Sequence, residues 1–456
     1  MENLFGTDGI RSKVGEAILN QNDLINIGKS ISIWAKQKNS IPRILIASDN
    51  RISGPLIKNL IISGLIQYKS EITDSGVLPT PAIYNLVEKQ KLFDVGIMVS
   101  ASHNPYYDNG IKIIDKHHGK LTKEDELQIS QIFQQKKFDP IDYDNLGKLW
   151  YSINRLKDIY RASVISYFQP SFLKDFKIVL DCANGAFSDI APEVFENFGA
   201  KVISIHNFPD GKNINKNCGS TSPFSLQLAV KEQNADIGFA FDGDGDRILA
   251  VNKHGILKDG DDIISFLLNN QKYKTEAKIV TTIMSNYGFE IHLKEKKIDL
   301  IRTKVGDKFV VQELKKNNLL IGGEPSGHII LRDYLNSSDG LFVALRIAES
   351  IEQTKNLDIT SFIKFPQITI NLKIVSKENL DNEPFFSIIK KYQNELERGR
   401  LIVRYSGTEP LLRLTVESPN INQVKNILLK LEEELNLAFM NFKGTDENKK
   451  ITQDIR

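Results

Sequence analysis

One supersecondary phrase occurs three times in this chain, and it restricts the fold more than any other feature. An apolar run closes on polar residues at Arg43–Asp49, Lys177–Asn184 and Lys278–Ser285. A stretch of helical texture follows each run, then a second apolar strand: Val95–Val99, Ile237–Phe241 and Leu319–Ile321. Each second strand opens into a loop rich in glycine or serine, at Ser100–Pro105, Asp242–Arg247 and Gly322–His328. Strands that alternate with helices predict βαβ units and mainly parallel sheets. From Ile368 the texture changes. Ile368–Val375 alternates as a half-exposed strand does, Arg400–Arg404 and Leu411–Glu417 follow, and a charged periodic helix near Asn422–Leu437 ends the pattern. At 456 residues the chain is too long for one core. The expected architecture is three similar α/β domains over residues 1–155, 156–254 and 255–365, then a smaller α+β domain over 366–456.

Composition removes several functions. Basic and acidic residues nearly cancel, 59 against 57, so no charge excess draws the chain to nucleic acid or to a membrane surface. No stretch approaches the ~20 apolar residues of a membrane span, and Met1–Gly9 lacks the basic and apolar regions of a signal peptide. Two cysteines, Cys182 and Cys218, give no disulfide framework and fit a reducing compartment. Neither has a partner motif, so both read as packed thiols. The expectation is a cytoplasmic globular protein.

Four loops carry the chemistry. In the first, Ser102 stands beside His103 and Asn104 at the C-terminal end of an apolar strand, the edge where α/β folds bind ligands. In the second, Asp242, Asp244 and Asp246 alternate with glycine, and three such carboxylates repel one another unless a cation sits among them. Oxygen donors favour magnesium or calcium. An EF-hand does not fit, because Arg247 and Lys253 occupy the positions that need Gly and Glu. The third loop supplies an acceptor, a hydroxyl and an imidazole in Glu324, Ser326 and His328, a set suited to a polyhydroxylated ligand. The fourth holds Arg404, Ser406, Gly407, Thr408 and Arg413, which together suit a phosphate. Taken singly, the first, third and fourth loops also read as ordinary turns, whereas the apolar strands on both sides of the second favour a metal site there. Taken together, they describe a phosphosugar site with a metal and a serine able to carry a phosphoryl group.

With these motifs in this order, and with Phe5–Arg11, Asn109–Lys112, Asp181–Ala186, Pro209–Asn215, Cys218–Thr221 and Thr303–Lys308 between them, the chain resembles the α-D-phosphohexomutase superfamily over essentially its whole length. Within it, the likeness is greatest to the bacterial phosphoglucosamine mutases. The resemblance implies four domains around a central cleft, with the fourth acting as a lid. It implies that Ser102 is a phosphoserine and that Asp242, Asp244 and Asp246 hold Mg2+ together with an oxygen of that group. Arg11 and Lys112 match positions of proton transfer and positioning, and His103 reads as a residue that orders the loop beside the phosphate rather than as a general base, because the serine arrives already phosphorylated. Glu324 and Ser326 match the pair that reads sugar hydroxyls, with Lys304 and His328 as further ligand contacts. Arg404, Ser406, Gly407, Thr408 and Arg413 match the clamp on the phosphate that is not transferred. The implied reaction passes through a sugar 1,6-bisphosphate, and the implied assembly is a homodimer.

One position departs from the pattern. Pro325 stands where members acting on glucosamine phosphates usually carry Gln. A phosphoglucomutase or phosphomannomutase is therefore the alternative reading, ahead of a non-catalytic phosphosugar-binding protein or a magnesium-dependent phosphatase.

Overall fold

The structure, a computed structural model, describes residues 4–6, 9–359, 362–374, 376–406 and 410–453. Its strands make four sheets. The first holds β1 (Ile10–Lys13), β2 (Arg43–Ser48), β3 (Glu71–Val77), β4 (Val95–Val99), β5 (Asp108–Asp115), β6 (Gly119–Lys120) and β7 (Lys148–Tyr151). The second holds β8 (Lys177–Asp181), β9 (Lys201–Ile205), β10 (Ile237–Phe241), β11 (Ile248–Asn252) and β12 (Leu257–Lys258). The third holds β13 (Lys278–Thr282), β14 (Asp299–Thr303), β15 (Ile321–Gly323) and β16 (Ile329–Leu331). The fourth holds β17 (Gln367–Lys373), β18 (Arg400–Tyr405) and β19 (Leu411–Glu417).

The first three sheets repeat one strand order: β3-β2-β4-β5, β9-β8-β10-β11 and β14-β13-β15-β16. In each, three strands run parallel and the fourth turns back antiparallel on the third. The parallel centre explains the continuous apolar runs. β4 and β10 are buried at every residue, as strands covered on both faces must be. The loops singled out above are the three turns into the antiparallel strand. They therefore occupy one topological position three times.

The third loop is shorter than its sequence implies. Gly322 and Gly323 read as loop, yet both lie in β15. A Cβ on Gly322 would stand 2.5 Å from the carbonyl oxygen of Val280, and one on Gly323 would stand 2.5 Å from that of His328. Glycine here permits close backbone approach within the sheet.

By their contacts the residues form two compact units, Met1–Met284 with Asp299–Ser361, and Ser285–Ile298 with Phe362–Arg456. In the first, the helices Gln21–Lys38 and Gly54–Leu65 pack Ile27, Ile31, Trp34, Ile57 and Ile61 into one cluster with β2 and β4. The Trp34 indole donates to Asp125 at 3.1 Å, which satisfies its buried N–H. In the second unit β19 pairs antiparallel with both β17 and β18. Its Leu412, Leu414 and Val416 meet Val424, Ile427, Leu431 and Leu435 from the helix Ile421–Gln453. Periods of two on the strand and of three to four on the helix thus converge on one core.

Candidate active site

Ser102 occupies the second position of a turn closed by the Asn104 amide donating to the Ala101 carbonyl at 3.1 Å. Its φ is +53°, a left-handed conformation uncommon for a residue with a Cβ. The surroundings impose it. The Ser102 amide donates to Ser100 Oγ at 2.8 Å, and Ser100 Oγ donates to Asp49 at 2.6 Å. Arg51, fully buried, donates to the carbonyls of Ser102 and Asn104 at 2.8 Å each, to that of Pro105, and through Nε to Asp49 at 3.0 Å. Asn215 Nδ2, in the loop after β9, reaches the Ser102 carbonyl at 2.9 Å. A planar guanidinium suits this task, because its donors form a rigid fork. The Ser102 hydroxyl is then left to donate to Asp242 at 2.7 Å.

The aspartate loop is a turn as well, closed by the Gly245 amide on the Asp242 carbonyl at 3.1 Å. Asp242, Asp244 and Asp246 are all buried, and one oxygen from each lies within 4.8 Å of the others. Lys112 on β5 bridges two of them, with Nζ 2.8 Å from Asp244 Oδ2 and 2.7 Å from Asp246 Oδ2. Thr80 donates to Asp244 at 2.5 Å, and the Arg247 amide donates to Asp242 at 3.0 Å. Burial and the two neighbouring carboxylates push the Asp242 pKa well up. Burial acts on Asp246 in the same sense, but Lys112, His328 and Arg247 outweigh it and hold that pKa below the usual carboxylate range. The second oxygens of Asp244 and Asp246 are buried without a hydrogen-bond partner. Orphaned carboxylate oxygens in an all-oxygen cluster are what a hard divalent cation requires.

His103 is half-buried, with Nδ1 3.3 Å from Ser102 Oγ. Burial, then the charges of Arg247 and Arg11, push its pKa down to about 4. Arg11 is exposed on β1, in register with Gly110.

The third loop folds as a turn of Glu324, Pro325, Ser326 and Gly327, with the Gly327 amide 3.0 Å from the Glu324 carbonyl. Pro325 holds its second position, where a fixed φ near −65° is favoured. Its carbonyl accepts from the Gly260 amide at 3.1 Å. Glu324 is buried and accepts from the Gly306 amide at 3.1 Å, whereas Ser326 and Lys304 are exposed. His328 faces Asp307 at 3.4 Å, and Asp307 also holds Lys120 at 2.6 Å. Charges of Asp242, Asp246 and Glu324 overcome burial to raise the Arg247 pKa, so Arg247 couples the second loop to the third. Serine, aspartates, Lys112, Arg247, Glu324 and His328 are thus one electrostatic group.

In the second unit Arg404 and Arg413 face each other in register on β18 and β19. Burial and the adjacent Arg413 charge lower the Arg404 pKa. Ser406 is buried just past β18, where its amide donates to the Leu411 carbonyl at 2.8 Å. Gly407 and Thr408 lie outside the described residues. Like charges facing across two strands are costly unless an anion offsets them.

Sequence reasoning missed Arg51 and Thr80, and it named Asn215 and Asp307 only within motifs, without a role. The available signal was position. Arg51 stands three residues past the buried strand β2, which ends at Ser48, where a solvated arginine has no reason to stand. Among the described residues no helix is long and apolar enough to cross a membrane.

Comparison with known proteins agrees with this arrangement. Profiles of the phosphoglucomutase/phosphomannomutase family match in order: alpha/beta/alpha domain I over residues 2–140, domain II over 157–255, domain III over 259–365, and the C-terminal domain over 377–434. A phosphoglucosamine mutase of Caldicellulosiruptor saccharolyticus is 41% identical over 442 residues, covering 93% of this chain and 97% of that protein. One from Campylobacter jejuni strain RM1221 is 38% identical over 452 residues, covering 95% and 99%. Among solved structures, a phosphoglucomutase/phosphomannomutase family protein from Burkholderia thailandensis superposes with a TM-score of 0.78 at 21% identity, covering 96% of this chain and 97% of that one. The Aspergillus fumigatus N-acetylphosphoglucosamine mutase, solved with GlcNAc-6P and magnesium, gives 0.66 at 14%, covering 95% and 96%. These two share the fold. Identity near 40% over almost the full length goes further, and the chain belongs to the phosphoglucosamine mutase family of phosphohexomutases.

Proposed function

We propose that this protein interconverts glucosamine 6-phosphate and glucosamine 1-phosphate, with Ser102 as the residue that carries the phosphoryl group. The observation that supports this most directly is the Ser102 hydroxyl held 2.7 Å from Asp242, in a turn whose carbonyls are pinned by buried Arg51. Phospho-Ser102 gives its phosphoryl group to the free hydroxyl at one end of the sugar monophosphate, the P–O bond to serine breaking as the bond to the sugar forms. The 1,6-bisphosphate turns over, and its other phosphate returns to Ser102. Asp242, Asp244 and Asp246 would hold Mg2+, which when bound offsets charge on the phosphoryl oxygens.

Lys112 in this reading keeps two of the carboxylates neutralised and, with Arg11, positions the phosphoryl group and the attacking hydroxyl, whose proton ends on the serine oxygen that leaves. His103 orders the loop beside the phosphate. Glu324 and Ser326 read the sugar hydroxyls, with Lys304 and His328 beside them. Arg404, Ser406, Gly407, Thr408 and Arg413 bind the phosphate that stays. Domain limits near 155, 254 and 365, a cytoplasmic setting and a homodimer belong to the same reading.

Phosphorus NMR tests it. Protein with Mg2+, a trace of sugar 1,6-bisphosphate and glucosamine 6-phosphate should produce the 1-phosphate, and Ser102→Ala should reduce turnover by at least ~10⁴-fold. Turnover of glucose or mannose phosphates alone would instead move the substrate to the sister sugars. Silence on all three would refute a mutase.

A further inference from the structure

A second group of metal-binding side chains lies outside the site just described. Asp181 ends β8, His206 follows β9, and Cys218 closes the loop between them and the next helical turn, Gly219–Thr221. One ligand atom from each lies within 4.8 Å of the others. Asp181 and Cys218 are fully buried, and the His206 side chain is 30% exposed.

The hydrogen bonding of this group is unfinished. His206 Nδ1 is buried and stands 3.2 Å from Asp181 Oδ1 in an ion pair that raises the His206 pKa, and a cation bound there displaces that proton. Asp181 already accepts the Ala183 amide at 3.0 Å on one oxygen and the Gly219 amide at 2.9 Å on the other. Cys218 Sγ meets Asn184 Nδ2 at 3.9 Å, a weak contact. A ring nitrogen, a carboxylate oxygen and a sulfur thus converge on one point, tied to one another only by the His206–Asp181 ion pair. Ligand atoms around a tetrahedral zinc-class ion sit roughly 3.3–3.8 Å apart, given bonds of about 2.0–2.3 Å. The 3.2 Å edge is close to that spacing, and the others need to close by no more than about 1.5 Å. The amides on Asp181 then serve as the outer hydrogen bonds that ligating carboxylates keep.

We propose that Asp181, His206 and Cys218 form a site for a soft or borderline divalent cation of the zinc type, distinct from the hard-cation site of the three aspartates. Three protein ligands leave a fourth position for water. As the metal–sulfur bond forms, the thiol proton leaves to solvent. The ion clips the segment 206–218, and that segment carries Asn215, whose Nδ2 donates to the carbonyls of Ser102 at 2.9 Å and Asn104 at 3.2 Å. Occupancy therefore bears on how firmly the serine turn is held.

Cobalt(II) titration of the full chain, with Mg2+ saturating, tests the site. A thiolate-to-cobalt absorption band should rise to one equivalent and be displaced by zinc. It should persist in Cys182→Ser and in Asp244→Asn, and disappear in Cys218→Ser. No band in the wild type, or a band that survives Cys218→Ser, overturns the proposal. Should Cys218→Ser not fold, His206→Ala serves, with cobalt affinity expected to fall at least tenfold. Unchanged affinity there overturns it equally.

Discussion

Lys112 is the residue on which the charge balance turns. It is buried, and its one ammonium answers two carboxylates 132 and 134 positions away in sequence. Such separations leave no local trace, so the ion pairs could not be read before the fold was known. The aspartates could be, because alternation with glycine on a strand end is a local pattern. Removing one partner of a buried pair typically costs about 3–5 kcal/mol. Lys112→Met should therefore lower the thermal midpoint sharply in chelator. Saturating Mg2+ should restore more of the loss than the same ion adds to the wild type. Equal shifts in scanning calorimetry of the two proteins would contradict the bridging role. Arg51 was missed for a different reason. Apart from Asp49, its partners are carbonyl oxygens, and no sequence pattern announces a need for those.

At the scale of elements, the strands were legible because parallel centres are apolar throughout, and β4, β10 and β19 fall where periodicity puts them. β15 did not, because glycines that pack in a strand look like glycines that turn. Gly327 does turn. Its φ is +91°, and a Cβ there would meet the Ile248 carbonyl oxygen at 2.1 Å. That contact is where the third loop lies against β11, through the Ile248 amide on the Gly327 carbonyl at 3.0 Å. Gly327→Ala should cost on the order of 2 kcal/mol, from strain and displaced backbone. Its KM for the phosphosugar should rise, measured by urea unfolding and steady-state kinetics.

Asp94, before β4, ties two strand ends by accepting from Lys116 at 2.6 Å and from the Arg43 amide at 2.9 Å. Burial opposes ionisation, but these donors win and hold its pKa at about 2. The folded state thus binds this proton less tightly than the unfolded chain. The stabilisation is full above the unfolded value near 4 and is lost as pH falls through about 2. Asp94→Asn should be less stable by roughly 1–2 kcal/mol near neutrality. The gap should narrow below pH 4 in urea melts taken across that range.

For the whole molecule, the number of sheets and their α/β or antiparallel character followed from the chain's texture, whereas the strand order within them did not. The order depends on which crossover lies beside which, a non-local choice. Charge is largely offset at this scale too, since Lys112 and Arg247 answer two of the three aspartate charges. Chelation should therefore abolish turnover, and Mg2+ should restore it. Circular dichroism should show the thermal midpoint moving by less than about 5 °C. A collapse of the folded state on chelation would mean that the ion is structural.

The order 3-2-4-5 of the first sheet returns in the second and third, and each copy presents its turn with different cargo: a serine, three carboxylates, a glutamate with a histidine. Donor chemistry, counter-charge and sugar choice are thereby inherited as separate cassettes. A change in the Glu324–His328 turn, Pro325 included, can alter what is accepted while the machinery that moves phosphate keeps its own scaffold. A protein built in this way can acquire a new substrate without relearning its reaction.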